Sequence, residues 1–133
     1  MDPEDAVVKR ATHALVIENV AGLEVRDLAV RWDEDQTEKN WQSALVLKNV
    51  SDFDVQFFSG RQGLKNGPPP AILLEDVSDS RISESRATEG CGTFIRVEGE
   101  KIRQISLRNN NTRKAVKDIS FGSEQVRGSV ETE

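Results

Sequence analysis

Few side chains in this chain of 133 residues are equipped for chemistry, and their spacing sorts them. Asp33, Glu34 and Asp35 lie between Trp32 and Trp41, in a polar segment running from Arg31 to Ser43. Carboxylates beside flat aromatic faces suit sugar rings, through apolar stacking and hydrogen bonds to hydroxyls. Trp32, Asp33, Asp35 and Trp41 are therefore the candidate carbohydrate-binding residues. The alternative is that Trp32 continues an inward alternation after Leu28 and Val30, with Trp41 covering the flank of the core. Catalysis asks for more. Inverting glycoside hydrolysis needs two carboxyls held about 6.5–9.5 Å apart on rigid elements, and a loop carrying Asp33 and Asp35 fixes no such distance. Asp52 and Asp54 flank Phe53 on a stiffer stretch, Asp54 facing outward and Asp52 in a turn. Asp33 and Asp35 are hard oxygen donors of the kind Ca2+ takes, but their spacing matches no calcium loop. The single histidine, His13, and the single cysteine, Cys91, fall in different repeats, too far apart for a nucleophile–base pair. No catalytic residue, metal site or cofactor is assigned on these grounds.

The elements that must position these groups are repeats. Ala14-Leu-Val-Ile-Glu-Asn-Val20, Ala44-Leu-Val-Leu-Lys-Asn-Val50, Ala71-Ile-Leu-Leu-Glu-Asp-Val77 and a looser Thr93-Phe-Ile-Arg-Val-Glu-Gly99 share one pattern. Each is a short alternating apolar run, and the first three end in Asn or Asp followed by Val. Such a unit cannot bury its apolar face alone and must stack on copies of itself. Within the first repeat Leu15 and Ile17 point inward, Asn19 breaks the phase, and Leu23, Val25, Leu28 and Val30 follow as further short strands. The second repeats this as Leu45, Leu47, Phe53, Val55 and Phe58, the third as Ile72, Leu74 and Ile82, with Ser80 and Ser85 where bulkier residues stood. In the fourth, aligning Phe94 with Leu15 would bury Arg96, a costly charge. Sliding by one residue puts Ile95 and Val97 inside, and would align Ile105 with Val25, Val55 and Ile82. Asn19, Asn49 and Asp76 form one column, a structural ladder at a tight bend whose amides are spaced to bond up the stack at about 4.8 Å.

The expected fold is all-β, a right-handed parallel β-helix of about four to five coils. It forms a single domain over residues 1–128, with coils starting near 14, 44, 71 and 93 and a weak last strand near 116–122. Residues 3–11 read as a short helical cap with Pro3 in its first turn or, nearly equally, as an extended lead-in. Residues 129–133 read as a frayed tail. The segments 31–43 and 59–70 interrupt the repeats, the second dictated by Gly and Pro. Arg61 and Lys65 on that second loop are anion contacts or solvated charges. Without capping, the ends and edges of a short stack favour self-association.

Composition narrows the partners. The chain is 36% apolar and 31% charged with a net charge of −5. No apolar run approaches the roughly 18 residues of a membrane span, and the chain carries no signal-peptide pattern, so export would require a leader already removed. Residues 1–79 hold 8 basic and 15 acidic side chains, residues 80–117 hold 9 and 4. The basic stretch could attract an acidic polysaccharide, or be a solvated face. Nucleic acid is disfavoured by the acidic balance and the absence of Tyr.

The repeat resembles right-handed parallel β-helix proteins of the pectin lyase-like superfamily. It is most similar in pattern to the C-terminal coils of polygalacturonase-type family 28 glycoside hydrolases and their bacterial relatives. Leu15 to Val30, Leu45 to Phe58, Ile72 to Ile82 and Gly92 to Asn111 carry the resemblance. It implies fold and ancestry. The catalytic marks of those hydrolases, an Asn-Thr-Asp triplet, an Asp-Asp pair, a Gly-His-Gly and an Arg-x-Lys, do not occur in this sequence. The functional expectation is a non-catalytic β-helix module, stand-alone or the C-terminal part of a pectin-active enzyme, structural or weakly polysaccharide-binding. The alternatives are a divergent hydrolase or lyase acting on acidic plant polysaccharide, and an assembly protein using exposed coil edges.

Overall fold

A computed structural model describes residues 13–36 and 40–132. The cap expected over residues 3–11 lies outside the described residues. The chain is a parallel β-helix of about four turns. Strands β1 (Leu15–Arg26), β2 (Leu45–Gln56), β4 (Ile72–Glu75), β5 (Ser78–Ser83), β7 (Cys91–Glu98), β8 (Arg103–Arg108), β9 (Ala115–Phe121) and β10 (Val130–Thr132) make the main sheet, and β3 (Ser59–Gly60) pairs with β6 (Arg86–Ala87). Every pairing is parallel. Because β1 and β2 bend in mid-strand, each turn presents three faces.

On the first face Leu15 pairs with Leu45, Leu45 with Ile72, Ile72 with Ile95 and Ile95 with Ile119. Ile17, Leu47, Leu74, Val97 and Phe121 form the neighbouring inward column. The slid register of the fourth repeat is thus the observed one. Arg96 faces outward, its Nε donating to Glu98 Oε1 at 2.7 Å. Leu45, Leu47, Ile72, Leu74 and Val97 are fully buried, each burial stabilising by about 1.5–3 kcal/mol before entropy is counted.

The second face corrects one expectation. Ile105 does not join Val25, Val55 and Ile82: it pairs with Ser80, and Leu107 takes the place beside Ile82. The cause is a two-residue insertion, because the step from Val97 to Ile105 is two residues longer than that from Leu74 to Ser80. The extra length forms a loop held by Asp76, whose Oδ1 accepts from the backbone N–H of Glu100 (2.9 Å) and Lys101 (3.1 Å). Gly99, at φ 112, admits that carboxylate where a Cβ would collide with it.

Three columns of left-handed bends fold each turn. Asn19, Asn49 and Asp76 have φ of 60, 53 and 53 and are followed in register by Gly99. Gly22, Asp52, Asp79 and Gln104 form the second column, and Asp27, Phe57, Glu84 and Asn109 the third. This conformation costs a residue with a Cβ about 1–2 kcal/mol, least for Asn and Asp, whose short polar side chains bond locally. Asn49 Nδ2 donates to Asn19 Oδ1 at 2.7 Å, and Asn109 Nδ2 to Glu84 Oε1 at 3.0 Å, so side chains also link rung to rung.

Ser80 and Ser85 face inward and are buried. Each accepts from the rung above and donates within its own: Phe53 N–H to Ser80 Oγ (3.4 Å) and Phe58 N–H to Ser85 Oγ (3.0 Å), with Ser85 Oγ donating to the Ser83 carbonyl (3.0 Å). A satisfied hydroxyl makes a small inward residue tolerable, and leaves room for the Phe above it.

Residues 130–132 are a second correction. Read as part of a frayed tail, they form β10, which pairs with residues 105–107 of β8. A helical turn, Glu124–Arg127, delivers the chain there, with Ser123 Oγ accepting from Val126 N–H at 3.2 Å. Val126 is buried in the end of the core, and the Arg127 guanidinium lies 4.7 Å from the centre of the Phe121 ring. Three apolar anchors spaced through a polar stretch gave no alternation to read. Among the described residues no helix is long and apolar enough to cross a membrane.

Candidate functional site

The loop residues singled out for sugar binding divide between packing and solvent. The structure brings Trp32 and Trp41 together, ring centres 4.9 Å apart and planes tilted by 39°. Trp32 packs against the core, and its Nε1 donates to the Arg61 carbonyl at 2.8 Å. Gly63 lies under Trp41, closer than a Cβ would permit. Asp33 and Asp35 are exposed. Asp33 Oδ1 accepts from Asp35 N–H at 3.0 Å, which starts the 3-10 turn Glu34–Gln36. Lys65 reaches Glu34 at 3.0 Å and holds its carboxyl below the usual range, by that hydrogen bond first and by its charge second. Glu34, Trp41, Arg61 and Lys65 border a shallow hollow of about 230 Å³.

Of two residues beneath this loop, Gln62 gave no readable signal in the sequence, and Arg61, read there as an anion contact or a solvated charge, is turned inward instead. Arg61 and Gln62 are buried. Arg61 donates to the carbonyls of Gln62 (2.8 Å) and Gly63 (2.9 Å). Gln62 Nε2 donates to the carbonyls of Leu64 (2.9 Å) and Gly90 (2.8 Å), while its Oε1 accepts from Gly92 N–H (3.1 Å). Gln62 thereby ties one long loop to the tight connection of the following turn. Arg61 therefore serves as a bracket for main-chain carbonyls.

His13 and Cys91 are separately engaged. His13 Nδ1 accepts from Ser43 N–H at 3.1 Å, and burial, with Lys48 nearby, lowers its pKa. Cys91 is in the core, its thiol pushed up to about 11 by burial. A thiol in that state is a poor nucleophile. Among the described residues no three His, Cys, Asp or Glu side chains gather as a metal site would need.

A larger hollow lies elsewhere, on the outside of the second face. Its volume is about 790 Å³, and Glu24, Asp52, Asp54, Asp79, Arg81 and Arg108 are among the residues lining it. Strand alternation builds it. Glu24, Asp54, Arg81 and Ser106 pair in register and point outward from successive turns, while Asp52 and Asp79 project from the bend column beside them. The charged lining groups are all acidic on the first two turns, and the arginines stand on the next two, beside Asp79. Arg81 meets Asp54 Oδ2 at 3.1 Å and Arg103 meets Asp79 Oδ2 at 2.9 Å. These pairs are partly exposed, so each contributes at most about 1 kcal/mol. Asp54 Oδ1 is buried and, among the described residues, has no hydrogen-bond partner. A carboxylate oxygen so placed is covered by its neighbours, and its partner Oδ2 is the one that meets Arg81. Asp52 and Asp54 were legible as the stiffer carboxylates, but their common hollow needs the register of four turns.

Arg96, Glu98 and Ser120 occupy the first face, where Arg96 also donates to Ser120 Oγ at 3.3 Å. Comparison with known proteins adds no relative: no family model, no curated protein and no solved structure matches this chain. The parallel β-helix is shown by the strand pairing itself, and no match ties it to the pectin-active enzymes.

Proposed function

We propose that this chain is a non-catalytic β-helix module that binds an extended acidic polysaccharide along the outside of its second face. The observation carrying the reading is the hollow of about 790 Å³, whose lining sets the outward carboxylates of the first two turns beside Arg81 and Arg108 of the next two. Sugar hydroxyls donate to the exposed carboxylates of Glu24 and Asp52. The open shape suits a polymer that enters from the side, and arginines on the later turns suit its carboxylates. The floor is a regular sheet, so binding demands little reordering of the protein.

The test is calorimetric titration with polygalacturonate beside a neutral glucan. Saturable binding of the acidic polymer is expected, weakened on Arg81→Ala. Absence of binding to either overturns the proposal. Release of reducing ends or of an unsaturated product, lost on Asp33→Asn or Asp35→Asn, would replace it with the hydrolase or lyase alternative.

A further inference from the structure

We infer that Phe57 is a stacking platform for one uronic acid ring of the bound polysaccharide. This rests on the polysaccharide reading of the neighbouring groove and assigns it a specific subsite. Of the eleven non-glycine residues with positive φ among the described residues, ten are Asn, Asp, Glu or Gln, and the eleventh is Phe57. Its column supplies the comparison: Asp27, Glu84 and Asn109 make the same bend with polar side chains. A bulky aromatic is poorly suited to a left-handed bend, and strain of this kind gathers at binding sites. The ring gains little burial in exchange, because Phe57 is 49% exposed.

What surrounds the ring points to the ligand. Phe57 borders a hollow of about 400 Å³ shared with Arg81, Glu84, Arg108 and Asn109. Arg81 and Arg108 also line the larger groove, so the two hollows meet at these guanidinium groups. An apolar face beside two cations and an amide matches a uronate ring. The C–H face stacks on Phe57, the carboxylate meets Arg81 and Arg108, and the hydroxyls reach Asn109 or Glu84. The chain then continues into the groove past Asp54.

The experiment titrates the full chain with hexagalacturonate and with its methyl-esterified form, for wild type, Phe57→Asn and Phe57→Trp. Phe57→Asn is expected to weaken hexagalacturonate binding about tenfold, the loss of one stacking contact. Phe57→Trp keeps it, and the ester binds wild type at least about tenfold more weakly than the acid. The melting temperature of Phe57→Asn stays within about 3 °C of wild type, relief at the bend offsetting the lost contacts of the ring. Binding unchanged in Phe57→Asn overturns the subsite and leaves the groove reading standing. Equal binding of acid and ester overturns the uronate assignment. A fall in melting temperature beyond about 6 °C makes Phe57 a packing residue and overturns the platform. No binding by wild type removes both the groove reading and the subsite.

Discussion

Replacing Gln62 by Met keeps the side chain unbranched and nearly the same size while deleting its polar end. The cost can be worked from the partners. Gln62 makes three bonds: to the Leu64 and Gly90 carbonyls and from Gly92 N–H. The two carbonyls keep other donors, since Leu64 O also accepts from Gly67 N–H (2.9 Å) and Gly90 O from Asn66 N–H (2.7 Å). Losing each of those Gln62 bonds costs about 0.5–1.5 kcal/mol net. Gly92 N–H, half-buried, loses the acceptor it has here, and such a donor left unpaired costs toward the lower end of about 1–3 kcal/mol. Some apolar burial by Met offsets this, so about 2–4 kcal/mol in all is expected. Urea unfolding followed by far-ultraviolet circular dichroism measures the total. Tryptophan fluorescence reports the loop itself, because Trp32 and Trp41 pack there, and its transition should move to lower urea than the backbone signal. A loss below about 0.5 kcal/mol would refute the reasoning, meaning that water replaces the amide and the loop is not bracketed from within.

Four shorter predictions accompany it. Leu74→Ala, at a fully buried position in the central turn, should cost about 2–5 kcal/mol in the same urea measurement. Asn49→Gly loses the rung-to-rung bond to Asn19 but keeps the bend, whereas Asn49→Ala also pays for left-handed backbone; Ala should unfold about 1 kcal/mol more readily than Gly. His13 has its folded pKa lowered from 6.5, so the unfolded chain binds the proton more readily. Stability is then full above about pH 6.5 and declines as pH falls through the folded value, and His13→Gln should flatten that slope in pH-dependent melting. Cys91, with its thiol near 11 and buried, should react with Ellman's reagent only as the fold opens, slowly in native buffer and at once in denaturant.

The stack was readable because its columns repeat. Leu15, Leu45 and Ile72 announce one another at regular intervals, and the charge on Arg96 was enough to choose the register of the fourth repeat. Left-handed bends were readable where Asn19, Asn49 and Asp76 occupy them and silent where Phe57, Glu84 and Gln104 do, since those types carry no turn preference. The displacement of Ile105 was hidden because the two inserted residues fall beside Gly99, where polar residues have no period to disturb. Gln62 was illegible, and Arg61 misjudged as an anion contact or a solvated charge, for a different reason. In a Gly- and Pro-rich segment a polar residue normally faces water, and only the folded neighbours reveal that Gln62 has no exposure at all. The groove was least accessible of all, because Glu24, Asp54, Arg81 and Ser106 become neighbours only after four turns are aligned.

The inward serines bear on how such a chain could grow. Phe53 and Phe58 in the second turn sit over Ser80 and Ser85 in the third, each bulky ring set against a small hydroxyl that also accepts a hydrogen bond from its backbone N–H. Adjacent turns are therefore keyed to each other and are not interchangeable parts. Copying the second turn alone would crowd ring upon ring, and copying the third alone would leave a gap. Elongation by duplication would have to carry both turns together, as a matched couple.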